Sequence, residues 1–430
     1  MGDNHPEDIP AAVYANHKGE IFDLPDFYMA GRSGNFFSLP EKNDLIPLPE
    51  ESELFILPER SPIGIDRLSR EPVLLEDDPE NKHQTISGVA AFMAPAHTAI
   101  FTAAYEKKHP GAAPLPLFCY AAVGWLDGRF WVTGFRSDPD QRQDFSDTPQ
   151  DLIRKKTSQK LQKNPDNRLI QHLGKCCLTY GCPAAKNFFL ERHEAPLPTS
   201  PSCNACCVGC ISLQSSGSCP ATQDRLKFIP SPEEIAEIAV PHLQQVPRAV
   251  VSFGQGCEGE PLLQAETLEK SIRLIRKHTD KGTINLNTNA SLPQAVNRLA
   301  ETGLDSIRVS TNSARKGCHT LYYRPRDFNF KDVLESIRIM KEHGRFVSLN
   351  YFIFPGFTDD EEEFEALISM LSEYKPNFIQ LRNLNIDPDL YLETVRHQPR
   401  RKPMGIRRWH EKTKEIFPDL GFGYFNPPLR

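Results

Sequence analysis

Residues 203–210 read CNACCVGC and place four cysteines within eight positions. A disulfide knot, a zinc site or one end of an iron–sulfur cluster would use thiols at this density. The spacing Cys203-x-x-x-Cys207-x-x-Cys210 supplies three thiolates from one loop, which leaves the fourth iron of a [4Fe–4S] cluster open. The alternative, Cys203-x-x-Cys206 followed at once by Cys207-x-x-Cys210, would form a four-cysteine zinc site. Zinc ribbons separate their two pairs widely, so the spacing favours the cluster.

The other cysteines give information about the cellular compartment. The chain has 430 residues and eleven cysteines, an odd number that is clustered along the sequence. A secreted disulfide framework would distribute its cysteines through a small chain. Clustered thiols in a reducing compartment are interpreted first as metal ligands. We therefore expect a cytoplasmic protein, in which the isolated Cys119 and Cys318 are buried small hydrophobic residues.

The composition is typical of a chain that buries a core, with 39% hydrophobic and 25% charged residues. A formal charge of -6 disfavours a general nucleic-acid or anionic-membrane binder. The longest apolar runs, AVVSF and FVSLNYFIF, are far shorter than the roughly 18 residues needed to cross a bilayer. The first residues, MGDNHPED, are polar and acidic, so we expect neither a secretory signal nor a membrane association.

Short β-branched or aromatic runs alternate with helical patterns from about residue 185 onward. Ser231 and Glu234 form a predicted capping box, and Gly282, Gly303 and Gly344 are predicted helix C-caps. The predicted strands are NFFLER (187–192), AVVSF (249–253), TINLN (283–287), SIRVS (306–310), FVSLNYFIF (346–354) and FIQL (378–381). This alternation is typical of parallel strands with right-handed crossovers. Six strands do not close an eight-stranded barrel, so the predicted fold class is α/β with a partial (β/α)6 TIM-like barrel.

Residues 1–148 have a different pattern, rich in proline and short aromatic runs. The segment AAVGWLDGRFWVTGF predicts a β-hairpin that turns at Asp127-Gly128. We interpret this region as an additional α+β N-terminal accessory domain whose function no motif indicates. Residues 149–186 are a predicted helical connector, 187–385 the barrel, and 386–430 a C-terminal extension that packs on the barrel. The cysteine stretch follows the first predicted strand, on the face where such barrels carry their chemistry.

The CxxxCxxC loop after the first strand, with GEP at 259–261 after the second, resembles the radical SAM superfamily over about residues 187–385. The resemblance implies that Cys203, Cys207 and Cys210 hold a [4Fe–4S] cluster whose open iron chelates the amino and carboxylate groups of S-adenosyl-L-methionine. It also implies an enzyme that reductively cleaves this cofactor to a 5′-deoxyadenosyl radical, which abstracts hydrogen from a substrate. A flavodoxin or ferredoxin would supply the electron.

By the same resemblance, Gly259, Glu260 and Pro261 match the motif that contacts the methionine amine. A carboxylate is a favourable partner for an ammonium group, although an ordinary strand–helix turn explains the same residues. The loop at Pro355 and Gly356 is similar to the one that supports the adenine in many members of the family. The family pattern is not complete here, because many members have an aromatic residue before the third cysteine, where this chain has glycine.

Three further polar residues end predicted strands. Asn287 ends the third strand, and Ser310 and Asn312 end the fourth. Their short hydrogen-bonding side chains suit a ribose or a carboxylate. The same residue types are also common in turns, so both interpretations stay open.

Cys176, Cys177, Cys182 and Cys219 flank the cysteine stretch. They are either ligands of a second iron–sulfur cluster, which some radical SAM enzymes carry, or buried thiols of a helix and its exit turn. No tight CxxC pair lies among them.

A basic stretch, RHQPRRKPMGIRRWHEK, covers residues 396–412. It is interpreted as an RNA-binding patch, as a docking site for an acidic electron carrier, or as a solvated loop before an amphipathic helix. Its basic and aromatic residues are Arg400, Arg401, Lys402, Arg407, Arg408 and Trp409. The alternatives to the general radical SAM prediction are an RNA-modifying enzyme of that type and a zinc-stabilised binding protein without catalysis. The sequence identifies no catalytic residue and leaves a small molecule, a peptide or RNA as substrate classes.

Overall fold

The computed structural model describes residues 9–214, 220–399 and 401–430. The chain divides into two compact units. The first unit contains the chain up to Asp138 together with Phe352–Ile368 and Leu381–Pro418. The second unit contains Pro139–Tyr351, Ser369–Gln380 and Asp419–Arg430.

The first unit is rich in antiparallel strands. These are β1 (Ala11–Ala15), β2 (Ile21–Met29), β3 (Gly31–Ser33), β4 (Phe36–Ser38), β5 (Leu45–Pro47), β6 (Glu53–Leu57), β7 (Arg60–Asp66), β8 (Pro72–Leu74), β9 (Ser87–Phe92), β10 (His97–Ala99), β11 (Thr102–Ala103), β12 (Tyr105–Lys107), β13 (Val123–Leu126) and β14 (Arg129–Arg136). An eleven-stranded sheet has the central order β10-β14-β13-β1-β2-β7-β12, and β11-β3-β4 form a second sheet. Asp127 and Gly128 join β13 to β14 with φ of 52° and 74°, so the predicted hairpin is confirmed.

The remaining elements follow in chain order. They are α1 (Gln150–Lys163), α2 (Arg168–Tyr180), α3 (Pro183–Phe189), β15 (Glu194–Leu197), α4 (Pro232–Gln245), β16 (Val250–Phe253), α5 (Ala265–His278), β17 (Thr283–Thr288), α6 (Pro293–Thr302), β18 (Ser306–Thr311), α7 (Lys316–Tyr323), α8 (Phe330–Glu342), β19 (Phe346–Ile353), α9 (Glu361–Tyr374), β20 (Phe378–Asn383), α10 (Pro388–Thr394), α11 (Ile406–Ile416) and β21 (Gly421–Gly423). Helices α10 and α11 belong to the first unit, and the boundary between the units passes through β19, α9 and β20.

Strands β15 to β21 form one sheet in chain order, and the paired registers are parallel. Since β15 and β21 lie at opposite ends of this order, the sheet is open, and the predicted α/β fold with a partial (β/α)6 barrel is confirmed. The short β21 adds a seventh strand beside β20 that the sequence did not predict. Most of the seven strands of this sheet are almost fully buried, as expected for parallel strands covered by helices.

The prediction for the first strand was wrong. The segment NFFLER begins inside α3, which Pro183 opens at its first position, and Phe188 and Phe189 are buried on that helix. The chain then turns through Glu191 and His193, whose φ values are 58° and 54°, before β15 begins.

The helix boundaries on either side of the other strands were predicted well. Ser231 and Glu234 form the expected capping box of α4. Gly303 is the left-handed C-cap of α6, and Gly344 follows the C-cap of α8 with positive φ, as predicted. Gly282 also has positive φ, but the C-cap of α5 is Thr279, so the prediction for Gly282 was wrong. Among the described helices, none is both long enough and apolar enough to cross a membrane.

Candidate metal and cofactor site

The cysteine loop, residues 203–210, follows β15 and is held at its backbone by the end of α7. The amide of Cys206 donates to the carbonyl of Tyr323 at 3.0 Å, and the amide of Val208 donates to that of Tyr322 at 3.0 Å. In the opposite direction, the amide of Arg326, just after α7, donates to the carbonyl of Asn204 in the cysteine loop at 2.7 Å. The loop is therefore fixed in position by the barrel rather than by its own thiols.

Cys203, Cys207 and Cys210 are each half-buried on this loop. Burial raises the pKa of the Cys203 thiol to about 11. Burial also raises the pKa of Cys207 well above its usual range, and the neighbouring Cys203 and Cys210 add to this effect. Two buried thiols whose pKa is raised in this way fit a cationic metal group, because its positive charge would stabilise their thiolates. Nη2 of Arg225 donates a hydrogen bond to the Cys210 sulfur at 3.4 Å.

The fourth cysteine of the stretch has a different partner. The Cys206 sulfur accepts a hydrogen bond from Nη2 of Arg326 at 2.9 Å, at an exposed position. The four-cysteine zinc arrangement requires Cys206 to share an ion with the other three. Its contact with Arg326 instead favours the ligand spacing Cys203, Cys207 and Cys210.

The loop after β16 pairs with the chain just before the cysteine loop. The amide of Gly259 donates to the carbonyl of Ser200 at 2.7 Å, and the amide of Glu260 donates to that of Ser202 at 2.8 Å. A Cβ atom on Gly259 would lie 1.9 Å from the Ser202 oxygen. Only glycine allows this approach of two backbones, so the glycine of the GEP motif has a direct structural reason.

Glu258 is a buried carboxylate that the sequence analysis did not predict. Its Oε2 accepts hydrogen bonds from the amides of Thr199 and Ser200 at 2.7 and 2.8 Å. Its Oε1 accepts from the amide of Gln255 at 2.6 Å. Burial raises the pKa of Glu258 to about 8, against the opposing effect of these three amides. Its sequence signal is weak, because one acid beside a glycine motif looks like an ordinary turn residue.

Glu260 joins the loop after β16 to the end of β17. Its Oε1 accepts from the Leu262 amide at 3.0 Å and from the Thr288 hydroxyl, and its Oε2 accepts from the Asn289 amide at 2.8 Å. Burial raises the pKa of Glu260 to about 7. Pro261 is buried and begins a short 3-10 helix that leads into α5.

A chain of side-chain hydrogen bonds continues from this carboxylate to the cysteine loop. Nδ2 of Asn289 donates to Oδ1 of Asn204 at 2.8 Å, and Nδ2 of Asn204 donates to the Ser291 hydroxyl at 2.9 Å. Asn204 lies next to Cys203, so the ends of β15, β16 and β17 are linked through Asn204, Glu260 and Asn289. Asn204 and Glu258 are the linking residues that motif matching did not find.

The other predicted contact residues lie on neighbouring strand ends. Asn287 is buried, and its Nδ2 donates to the carbonyl of Gly254 at 2.8 Å. Ser310 is half-buried on β18, in register with Asn350 of β19. Asn312 is buried and its Nδ2 lies 3.4 Å from the carbonyl of Cys318 on α7. Asn287 therefore lies with the loop after β16, whereas Asn312 supports α7.

A second group of metal-binding side chains, one histidine and two cysteines, lies in the same unit. His172, Cys176 and Cys257 place one ligand atom each within 4.8 Å of one another. A hydrogen bond with Cys257 lowers the pKa of Cys176 to about 5. Of the other cysteines considered for a second iron–sulfur cluster, Cys177 lies 3.4 Å from the Thr157 hydroxyl, Cys182 precedes α3 as its N-cap, and Cys219 is outside the described residues. The structure thus joins Cys176 to two residues that the sequence analysis missed.

The basic stretch has partners within the first unit. Arg401 lies 3.5 Å from Glu361, and Arg407 lies 3.2 Å from Asp44. Trp409 is fully buried, so its ring is not available to stack on a base. Arg400 is outside the described residues. The burial of Trp409 contradicts its use as the aromatic residue of an RNA-binding patch, and the other interpretations of this stretch stay predictions.

Comparison with known proteins gives one family and several distant relatives. Residues 197–368 match the family model of the Radical SAM superfamily. An uncharacterized protein of Methanocaldococcus jannaschii is 31% identical over 142 residues, which cover 30% of this chain and 48% of that protein. The FeMo cofactor biosynthesis protein NifB of Klebsiella pneumoniae is 27% identical over 182 residues, which cover 38% of this chain and 37% of NifB. The crystal structure of Streptococcus suis SuiB bound to precursor peptide SuiA has a TM-score of 0.38 at 14% identity, covering 59% of this chain and 52% of SuiB.

The matches span less than half the length of the two curated relatives. The family match contains the whole cysteine loop and the GEP motif, the two features on which the sequence prediction depended. With the open parallel barrel, it confirms that prediction. The chain is therefore similar to the radical SAM superfamily over residues 197–368, the segment that contains its cysteine loop and its GEP motif.

Proposed function

We propose that this chain is a radical SAM enzyme in which Cys203, Cys207 and Cys210 hold a [4Fe–4S] cluster and leave one iron open. When bound, the cluster and S-adenosyl-L-methionine supply a 5′-deoxyadenosyl radical that abstracts hydrogen from the substrate. The observation that carries this proposal is the cysteine loop itself: three neighbouring half-buried thiols, with the fourth thiol bonded to Arg326. That arrangement provides the three-thiolate ligand set of an open cubane.

The surrounding residues hold the loop and prepare a binding face for the cofactor. Glu258 and Gly259 fix the chain before the cysteine loop, and the Glu260–Asn289–Asn204 connection fixes the loop itself. We place S-adenosyl-L-methionine against these strand ends, near Gly259, Glu260 and Pro261. Asn287, Ser310 and Asn312 are assigned to the same face as further candidate contacts.

Two charged residues near the proposed cofactor site, Glu260 and Arg225, have different roles. Because the Glu260 carboxylate accepts three hydrogen bonds from the chain itself, we assign it mainly to orienting the loop after β17. Arg225, whose Nη2 donates to the Cys210 sulfur at 3.4 Å, is assigned to holding that ligand in position.

The test is formation of 5′-deoxyadenosine by the anaerobically reconstituted full-length protein with dithionite and S-adenosyl-L-methionine. We expect the wild-type protein to form it and Cys207→Ala to lose the activity together with most of its iron. Cys119→Ala is the matched control, because Cys119 is a buried cysteine of the first unit. A Cys207→Ala protein that forms 5′-deoxyadenosine at the wild-type rate would rule out the proposal.

The partners follow from this chemistry. The reaction needs a low-potential one-electron donor, and we assign that role to a flavodoxin or ferredoxin. A cytoplasmic location fits thiols that must stay reduced. The substrate class, whether a small molecule, a peptide or RNA, is not assigned.

A further inference from the structure

His172, Cys176 and Cys257 bring three metal-binding side chains together from two distant parts of the chain. His172 and Cys176 are four residues apart on α2, so they lie on one face of that helix. Cys257 comes from the loop after β16, just before Glu258. The three ligand atoms lie within 4.8 Å of one another. The helix places His172 beside Cys176, and the fold brings Cys257 to them.

The separation matches one ion better than a cluster. Nε2 of His172 lies 3.6 Å from Sγ of Cys176. A tetrahedral ion with a metal–sulfur bond of about 2.3 Å and a metal–nitrogen bond of about 2.0 Å places those two ligand atoms roughly 3.6 Å apart. In a cubane, each thiolate binds a different iron, and the cluster atoms keep the ligands farther apart. The observed geometry therefore fits a single ion.

The types of ligand and their burial indicate which kind of metal ion these three residues would bind. Two thiols and an imidazole are soft or intermediate ligands, which select zinc and similar transition metals over magnesium or calcium. Cys176 is 1% exposed and Cys257 is 6% exposed, while His172 is half-buried with its ring against Phe228. Two thiols and one imidazole at ligand distance supply three of the four positions of a tetrahedral zinc ion, and a water molecule would fill the fourth.

We propose that His172, Cys176 and Cys257 bind one divalent transition-metal ion, with zinc as the ion that fits the ligand set. The site is separate from the cysteine loop and goes beyond the proposed radical chemistry. Its effect is mechanical: it fastens α2 to the segment that contains Glu258 and Gly259, which in turn holds the chain before the cysteine loop.

The first experiment measures zinc in the full-length protein purified without oxygen. We expect about one zinc per chain, lost in His172→Ala and in Cys257→Ser. Cys177→Ser is the matched control, because Cys177 is a buried thiol on the same helix that contacts Thr157 instead. This control protein should keep its zinc.

The second experiment separates this site from the proposed cluster. A variant with Cys203, Cys207 and Cys210 all changed to alanine should lack cluster iron but keep the zinc. X-ray absorption at the zinc edge should then show sulfur neighbours at about 2.3 Å and nitrogen at about 2.0 Å. If the proposed function fails and the inference holds, the wild-type protein contains zinc and no cubane.

Hydrogen exchange provides a readout of the mechanical role. Removal of zinc by a chelator should speed amide exchange in residues 254–262 about tenfold in the wild-type protein, with no further effect in Cys257→Ser. Zinc that remains in Cys257→Ser, a zinc-free wild-type protein, or a Cys176–Cys257 disulfide in the oxygen-free preparation would each overturn the proposal.

Discussion

The guanidinium group of Arg326 donates a hydrogen bond to the sulfur of Cys206 at 2.9 Å. The contact divides four closely spaced cysteines into three ligand candidates and one thiol with a different role. It forms because the amide of Arg326 is itself held by the carbonyl of Asn204, which places the start of the cysteine loop beside the chain after α7. The contact with Arg326 supports the proposed ligand set of Cys203, Cys207 and Cys210, which the spacing of the cysteines also favours.

This relationship predicts how single cysteine variants differ. Cys206→Ala should keep about four irons per chain after anaerobic reconstitution, because the substitution removes no proposed ligand. Cys210→Ala should lose most of its iron. Iron analysis and the absorbance of the cluster measure both variants. Equal losses in Cys206→Ala and Cys210→Ala would show that the four-cysteine arrangement is the correct one.

Gly259→Ala should disrupt the contact between the loop after β16 and the chain before the cysteine loop. The added Cβ would lie 1.9 Å from the Ser202 oxygen, so backbone must move, at a cost of about 3 kcal/mol or more. Thermal unfolding followed by circular dichroism measures this loss, and cluster retention measures the displacement of the loop.

Gly317→Ala is the matched control for that substitution. Gly317 lies within α7, and a Cβ there would meet nothing within 4 Å. Because alanine favours the helix, we expect a gain of up to about 1 kcal/mol. A Gly259→Ala protein as stable as Gly317→Ala would contradict the steric argument.

The sequence predicted the barrel because its signals are local. Five strands were located within one or two residues, since each is a β-branched or aromatic run between helical segments, and a glycine precedes three of them, β17, β18 and β19. The first strand was missed for the same reason. EAPL contains proline and no β-branched residue, whereas NFFLER has the aromatic composition of a strand although Pro183 starts a helix there.

The candidate site was predictable only where it is a linear motif. The cysteine loop and GEP are contiguous and could be recognised directly. Asn204 meets Asn289 across 85 residues, and His172 meets Cys257 only after the chain has crossed from α2 to the loop after β16. Such contacts depend on which loops the strand order makes neighbours, and no local pattern encodes that.

Asp387→Ala should strongly destabilise the first unit. Arg60 and Asp387 form an ion pair at 3.0 Å in which both side chains are 1% exposed, and the same carboxylate caps α10 and accepts from the Leu115 amide. Its removal leaves a buried guanidinium without its carboxylate, which costs about 3–5 kcal/mol.

Urea unfolding followed by tryptophan fluorescence measures this change, because all three tryptophans, Trp125, Trp131 and Trp409, lie in the first unit. Glu361→Ala is the control, since its pair with Arg401 is exposed and should matter far less. Comparable losses of unfolding free energy in the two variants would contradict the argument that a buried ion pair contributes more to stability than an exposed one.

Asp359 predicts a dependence of stability on pH in the first unit. Its side chain is buried and accepts from the amides of Gly356 and Gly405 at 2.6 and 3.0 Å. Burial raises its pKa from 3.8 to about 6, and the adjacent Asp360 adds to the shift. Between these two values the folded state binds more protons than the unfolded state. The free energy of unfolding should therefore fall as pH rises from about 4 to about 6, by on the order of 3 kcal/mol.

Asp359→Asn isolates this contribution, because an amide at this position does not titrate. The variant loses part of the hydrogen bonding to Gly356 and Gly405, so its stability is lower at pH 4. Its unfolding free energy should nevertheless change less between pH 4 and pH 6 than that of the wild-type protein. Urea unfolding monitored by tryptophan fluorescence gives both curves, and their difference removes the other groups that titrate in this range. Parallel curves would mean that Asp359 titrates at its ordinary pKa in the folded protein, in which case its two amide donors, and not its burial, dominate its environment.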